Sequence, residues 1–288
     1  MATLHHTARR GGQKRIAPAP RACGRQYAGR AAEPFQSGNE PPAVCRILAC
    51  SPRKGGNTDE AARLFAESVA AASGGTVDIL YLRDFHVLPC IDCNACGAFA
   101  AAMAGRGNAF APSLARLASG PPYAEDAPDR AERTARRGRA ARPYGCPLAR
   151  KDDSAALLAL LAETPELCLV SPVYFYHLPA QLKALIDRTQ PFWRFAEAGL
   201  NPYAGLARRR CSVILAGARP GGERLFEGSL LTLRYAFRGL HADIAAPLTL
   251  YGLDGPDDIR AEAAAPLRER IRAYGREIGG VRAGQNGA

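Results

Sequence analysis

From Val44 onward, apolar and polar positions follow two alternating rhythms. Short, nearly unbroken apolar runs lie at residues 44–50, 76–82, 167–170, 211–216 and 242–250. They are the pattern of strands buried on both faces of a parallel sheet. Between them the apolar residues take helical spacing. Ala61, Leu64, Phe65, Val69 and Ala72 form one such stripe, and Leu178, Leu182, Leu185 and Ile186 form another before Pro191. Further helices are predicted after Lys151-Asp152-Asp153, over 223–239 and over 267–278. Asn57 with Glu60 resembles a capping box, Gly74-Gly75 ends the first helix, and Asp152 and Asp153 are placed to cap the third stretch.

Five strands alternating with helices imply right-handed crossovers and an α/β fold: a three-layer sandwich around a five-stranded parallel sheet, with 2-1-3-4-5 fitting the strand count. Ligands of such sheets bind beyond the carboxyl ends of the strands, where the strand order reverses. Here that means the loops after strands one, three and four.

Two segments lack either rhythm. Residues 1–42 are rich in Arg, Gly, Ala and Pro and read as a disordered basic tail, since they cannot bury enough surface to offset the entropy of ordering. An organellar transit peptide or an extension ahead of the true start would have the same composition. Residues 98–144 read as an insertion, disordered or acting as a lid and partly helical at best. They interrupt a domain spanning 43–280, and 281–288 is expected to be a disordered end. The net charge of +11 is concentrated in these segments: +5 falls in 1–42 and +4 in 98–144. Arg-rich sequence can bind nucleic acid through phosphates, but no aromatics interleave these arginines, and a solvated tail is the preferred reading. The chain has no apolar run long enough to span a bilayer and no secretory signal, so a cytoplasmic protein without membrane association is expected.

The loop Ser51-Pro-Arg-Lys-Gly-Gly-Asn-Thr joins the first strand to the first helix. Two hydroxyls, an amide, Arg53, Lys54 and two glycines ahead of a helix N-terminus suit a phosphate dianion, because backbone N–H groups and the helix dipole converge there. No Gly-Lys-Ser/Thr follows at P-loop spacing. After the third strand, Ser171-Pro-Val-Tyr-Phe-Tyr-His offers backbone amides beside aromatic faces, which suits a flat heteroaromatic ring. His177 is read as packing or capping as readily as a residue near substrate, and His86, His241 and Trp193 are expected in core packing.

These two stretches, with the continuation Leu-Pro-Ala-Gln-Leu-Lys-Ala-Leu-Ile-Asp-Arg, resemble the flavodoxin-like NAD(P)H-dependent FMN reductases, including the iron–sulfur flavoprotein branch. The resemblance covers about residues 44–97 and 145–278. It implies that Ser51, Arg53, Asn57 and Thr58 contact the FMN phosphate. It places Pro172, Val173, Tyr174 and Phe175 at the isoalloxazine ring, with Gly217 and Ala218 as backbone neighbours. It also implies a homodimer.

Nine cysteines without an export signal argue for thiols or metal ligands rather than a disulfide framework. Cys45, Cys50, Cys168 and Cys211 lie in or beside predicted strands and are expected to be buried structural thiols. Cys90-x-x-Cys93-x-x-Cys96 can ligate a single cluster or metal ion, with Cys146 as the fourth ligand. The iron–sulfur branch carries such a triplet for a [4Fe-4S] cluster. The same thiols can equally stand reduced and unligated, or keep only a redox or zinc-binding capacity.

The expected function is an FMN-dependent oxidoreductase taking hydride from NAD(P)H and passing electrons to a quinone, flavin, nitro compound, metal ion or iron–sulfur cluster. The flavin carries the chemistry, so no protein acid or base is required. The rival is an electron-transfer flavoprotein without NAD(P)H turnover.

Overall fold

A computed structural model describes residues 45–105, 143–222 and 224–286. The basic tail, the centre of the insertion and the last two residues lie outside the described residues. In chain order the elements are β1 (Cys45–Ala49), α1 (Asn57–Ser73), β2 (Val77–Tyr81), α2 (Ala95–Ala104), α3 (Ser154–Glu163), β3 (Glu166–Pro172), α4 (Ala180–Asp187), α5 (Gln190–Glu197), β4 (Arg209–Ala216), α6 (Glu227–Gly239), β5 (Ala242–Ile244), β6 (Leu248–Leu250) and α7 (Ala265–Asn286).

All strand pairs are parallel, in the order β2-β1-β3-β4-β5, with β6 also on β4. The single fifth strand expected over 242–250 is two strands. β5 pairs with Arg209–Cys211 and β6 with Ile214–Ala216, and Pro247 between them has no N–H to give the ladder.

Side chains of the central strands alternate between two cores. Ile47, Ala49, Cys168, Val170 and Ile214 face α1 and α7. Leu48, Leu167, Leu169, Val213 and Leu215 face the opposite layer, built from residues of α2 to α6. The α1–α7 contact is close because Gly275 and Gly279 lie against α1: a Cβ on either would stand 2.7 Å from Ser68 Cβ or Ala72 Cβ. Cys45, Cys50, Cys168 and Cys211 are buried thiols, and burial pushes those of Cys50, Cys168 and Cys211 upward in pKa.

Three boundaries differ from the sequence expectation. The segment from residue 98 begins as helix, since Phe99, Ala100 and Met103 of α2 enter the core. Chain beyond 281 continues α7 to Asn286. Helix α5 carries Phe192 and Phe195 into the core and has Pro191 in its first turn, where no N–H is needed. His86 is exposed rather than packed.

Candidate functional site

The β1–α1 loop is braced from beneath. Ser51 is buried, and its hydroxyl accepts the Arg53 N–H at 3.1 Å. Gly55 has φ +73° and donates its N–H to the Asp59 carboxylate at 2.7 Å. Asp59 pairs with Arg83 at 2.9 Å, and Arg83 also donates to the Ser51 carbonyl at 3.3 Å. These bonds fix the loop in one curve while Arg53 and Lys54 stay exposed. Gly56 is the N-cap of α1, with extended backbone and no side-chain cap. The first-turn amides, including those of Asn57 and buried Thr58, therefore lack intrahelical acceptors, at the positive end of a 17-residue helix. Backbone donors, a helix dipole and two exposed cations form a surface suited to an anion.

The Asn57 side chain does not serve that surface, nor does it form the expected capping box. Its Nδ2 donates to the Gly255 carbonyl at 2.7 Å and its Oδ1 accepts the Ile259 N–H at 3.0 Å. Asn57 thus ties the start of α1 to the loop after β6, and Arg260 adds a bond to the Gly55 carbonyl at 3.1 Å.

Beyond β3 the chain makes a tight hairpin. Tyr174 and His177 exchange both backbone bonds, at 2.8 and 2.9 Å, around Phe175 and Tyr176. Both central residues have positive φ, +50° and +64°, the signature of a type I′ turn usually filled by Asn or Gly. Bulky side chains there are strained, and strain of this kind concentrates at functional sites. Phe175 is fully exposed. Pro172 and Val173 lie buried at the strand end, and the Val173 N–H is committed to Ala216 at 2.8 Å. The expected set Pro172, Val173, Tyr174 and Phe175 is therefore brought together, but its buried half sets the hairpin and its tip faces outward. Arg219, after β4, donates to the Tyr176 hydroxyl. His177 binds Thr232 of α6 at 3.1 Å. A Cβ on Gly228 would stand 3.2 Å from the Tyr176 carbonyl, so the first turn of α6 fits closely beneath the hairpin. Gly217 is buried against Leu225, and Ala218 is exposed.

Cys90, Cys93, Cys96 and Cys146 line one cavity of about 70 Å³. The remote Cys146 lines the same cavity as the triplet. Cys96 lies in the first turn of α2, and burial raises its thiol above the ordinary value. Among the described residues, however, no three His, Cys, Asp or Glu side chains are grouped so as to hold a metal ion. The cavity floor includes Arg188, which is sealed from solvent and paired with Asp152. Of the two acids expected as α3 caps, Asp152 does accept the Ser154 N–H of the first turn at 3.2 Å, and also the Leu88 amide and Arg188, whereas Asp153 makes no cap bond and accepts the His86 amide.

Arg83, Asp59, Arg219 and Tyr176 were not legible as site residues. Arg83 stands 24 positions from Asp59 and Arg219 stands 43 from Tyr176. Asp59 carried a signal, since an acid in a first helical turn commonly receives loop amides.

A family model described by its flavodoxin-like fold matches residues 46–274. No curated protein matches the chain. Among solved structures, similar ones include an azoreductase from Bacillus anthracis str. Sterne (14% identity, 84% of this chain and 98% of that one, TM-score 0.46). Another is an FMN-dependent NADH-azoreductase from Bacillus anthracis str. Ames Ancestor in complex with FMN (16%, 83% and 98%, TM-score 0.44). A third is an NAD(P)H:quinone oxidoreductase from Methanothermobacter marburgensis (17%, 82% and 94%, TM-score 0.42).

Proposed function

The chain belongs to the flavodoxin-like family, and from that premise we propose that it is an FMN-dependent oxidoreductase accepting hydride from NAD(P)H and passing electrons to a second acceptor. One observation carries the reading. A braced, basic loop caps the N-terminus of α1 at the point where the strand order reverses, and a strained aromatic hairpin stands at the end of the neighbouring strand.

FMN, when bound, supplies the chemistry of taking up hydride and releasing electrons. The protein's own residues bind, orient and exclude water. The exposed guanidinium of Arg53 and ammonium of Lys54 neutralise the phosphate, and the Ser51 and Thr58 hydroxyls and first-turn amides of α1 complete its hydrogen bonds. Asn57 acts through the backbone it holds. Phe175 and Tyr176 cover a ring face, with Arg219 steadying Tyr176. Small acceptors such as a quinone, free flavin, aromatic nitro compound or metal ion suit a site open at this end. A homodimer is part of the reading: the exposed tip of the hairpin, and Leu231 and Tyr235 on the adjoining α6, are apolar surface that a second copy would cover.

The test is the absorption spectrum of the protein purified without air, with the released cofactor identified after denaturation and NAD(P)H oxidation followed with several acceptors. A flavin spectrum, released FMN and turnover are expected. Bound FMN without turnover would leave an electron carrier. A colourless protein that takes up no added FMN would overturn the assignment.

A further inference from the structure

The amino ends of β3 and β4, opposite the cofactor loops, border a second cavity of about 250 Å³. Glu163, Tyr203, Leu206, Arg209, His241 and Ala162 line it. Arg209 donates to the Leu161 and Thr164 carbonyls, each at 2.9 Å, and to the Leu240 carbonyl, so it closes the carboxyl ends of α3 and α6. Its Nε–H is left over: this atom is buried and has no partner among the described residues. The Tyr203 hydroxyl is in the same position, on a side chain 5% exposed. Two buried donors without acceptors beside one cavity cost stability unless something supplies an oxygen. Tyr203 and His241 stack nearly parallel at 5.1 Å and 13°, and Leu206 and Ala162 add apolar wall, which favours a flat body. Desolvation also presses the Arg209 guanidinium toward its neutral form, a pressure that an oxyanion partner would relieve.

We propose that this cavity is a ligand site for a small aromatic carboxylate, its oxygens accepting from Arg209 Nε and the Tyr203 hydroxyl after a small shift of the two side chains that opens these buried atoms to the cavity, and its ring lying against the Tyr203–His241 stack. The site is remote from the cofactor loops and does not rest on the flavin reading. Glu163 opposes the ligand when ionised. Burial raises its carboxyl above the ordinary value, and the Arg209 and Arg46 charges partly counter this.

The test is calorimetric titration of the full chain, with whatever cofactor it carries, using benzoate as probe and benzyl alcohol as neutral control. Saturable benzoate binding is expected, with benzyl alcohol much weaker. Tyr203→Phe should weaken benzoate about tenfold, the cost of one hydrogen bond to a charged partner. Glu163→Gln, which keeps the size of a solvent-exposed side chain, should tighten it. FMN affinity should be unchanged in both variants. The absence of saturable binding, equal affinity for the two probes, or benzoate affinity indifferent to both substitutions would overturn the proposal; the last would place benzoate elsewhere, including the cofactor site.

Discussion

Arg188 Nη1 lies 2.6 Å from Asp152 Oδ2, and both side chains are almost completely sealed from solvent. The pair sits where three segments meet: Arg188 follows α4 and also bonds the Leu88 carbonyl at 2.9 Å and the Ser154 hydroxyl at 2.6 Å, and Asp152 takes the Leu88 amide. It anchors the loop after β2, which carries the cysteines, to the start of α3. Asp152→Asn would leave a buried guanidinium uncompensated and should cost about 3–5 kcal/mol in urea denaturation. Burial pushes the Asp152 carboxyl up, but bonds from Ser154, Leu88 and Arg188 outweigh it and hold the carboxyl below its ordinary value. A depressed folded pKa means a contribution present above the ordinary aspartate value of 3.8 and lost as pH falls through the lower folded value. The wild type should therefore lose this increment in acid, and Asp152→Asn should show a shallower acid limb.

Asn57→Ala removes both bonds to the 255–259 loop while leaving the backbone amide of residue 57 in place. Stability should fall by about 1–2 kcal/mol, and FMN affinity should fall with it because the loop is no longer held. Thermal denaturation and flavin fluorescence titration read the two effects separately. Asn57→Asp keeps the acceptor for the Ile259 amide and should recover part of the loss.

Arg53→Ala and Lys54→Ala test the proposed phosphate site directly. Each cation is exposed, so stability should change little, within about 0.5 kcal/mol. FMN binding should weaken roughly tenfold for each, and weakening should grow with salt for the wild type. Riboflavin, which has no phosphate, should bind the variants and the wild type alike.

Phe175→Gly should stabilise the protein and impair it. The substitution removes no packing, since the ring is fully exposed, and it relieves a positive φ that costs a bulky residue about 1–2 kcal/mol, less the roughly 0.5–1 kcal/mol of added glycine entropy. A small rise in Tm with lower flavin affinity or a higher KM for the acceptor is the expected pair of results. A fall in Tm would show that the ring packs against something in solution.

Much of the architecture was legible because burial on both sheet faces leaves a clear mark: the runs around Ile47, Leu169 and Val213 could be little else. The β1–α1 loop was legible for a similar reason, since its residues are contiguous. What escaped notice depends on distant pairing. Nothing near Asn57 indicates that its side chain is claimed by Gly255, and the capping-box pattern pointed to a local role that tertiary contacts override. The hairpin was hidden because Phe175 and Tyr176 occupy positions where turn chemistry calls for Asn or Gly. The break in the last strand was visible in Pro247, but the apolar residues on either side disguised it.

That break has a consequence for the protein at high concentration. A sheet edge normally offers a row of unpaired amides and carbonyls on which a foreign strand can dock and aggregation can start. Beyond β4 the edge consists of two three-residue pieces with Pro247 between them, too short and too interrupted to template another backbone. This edge therefore gives a second copy of the chain little on which to extend the sheet.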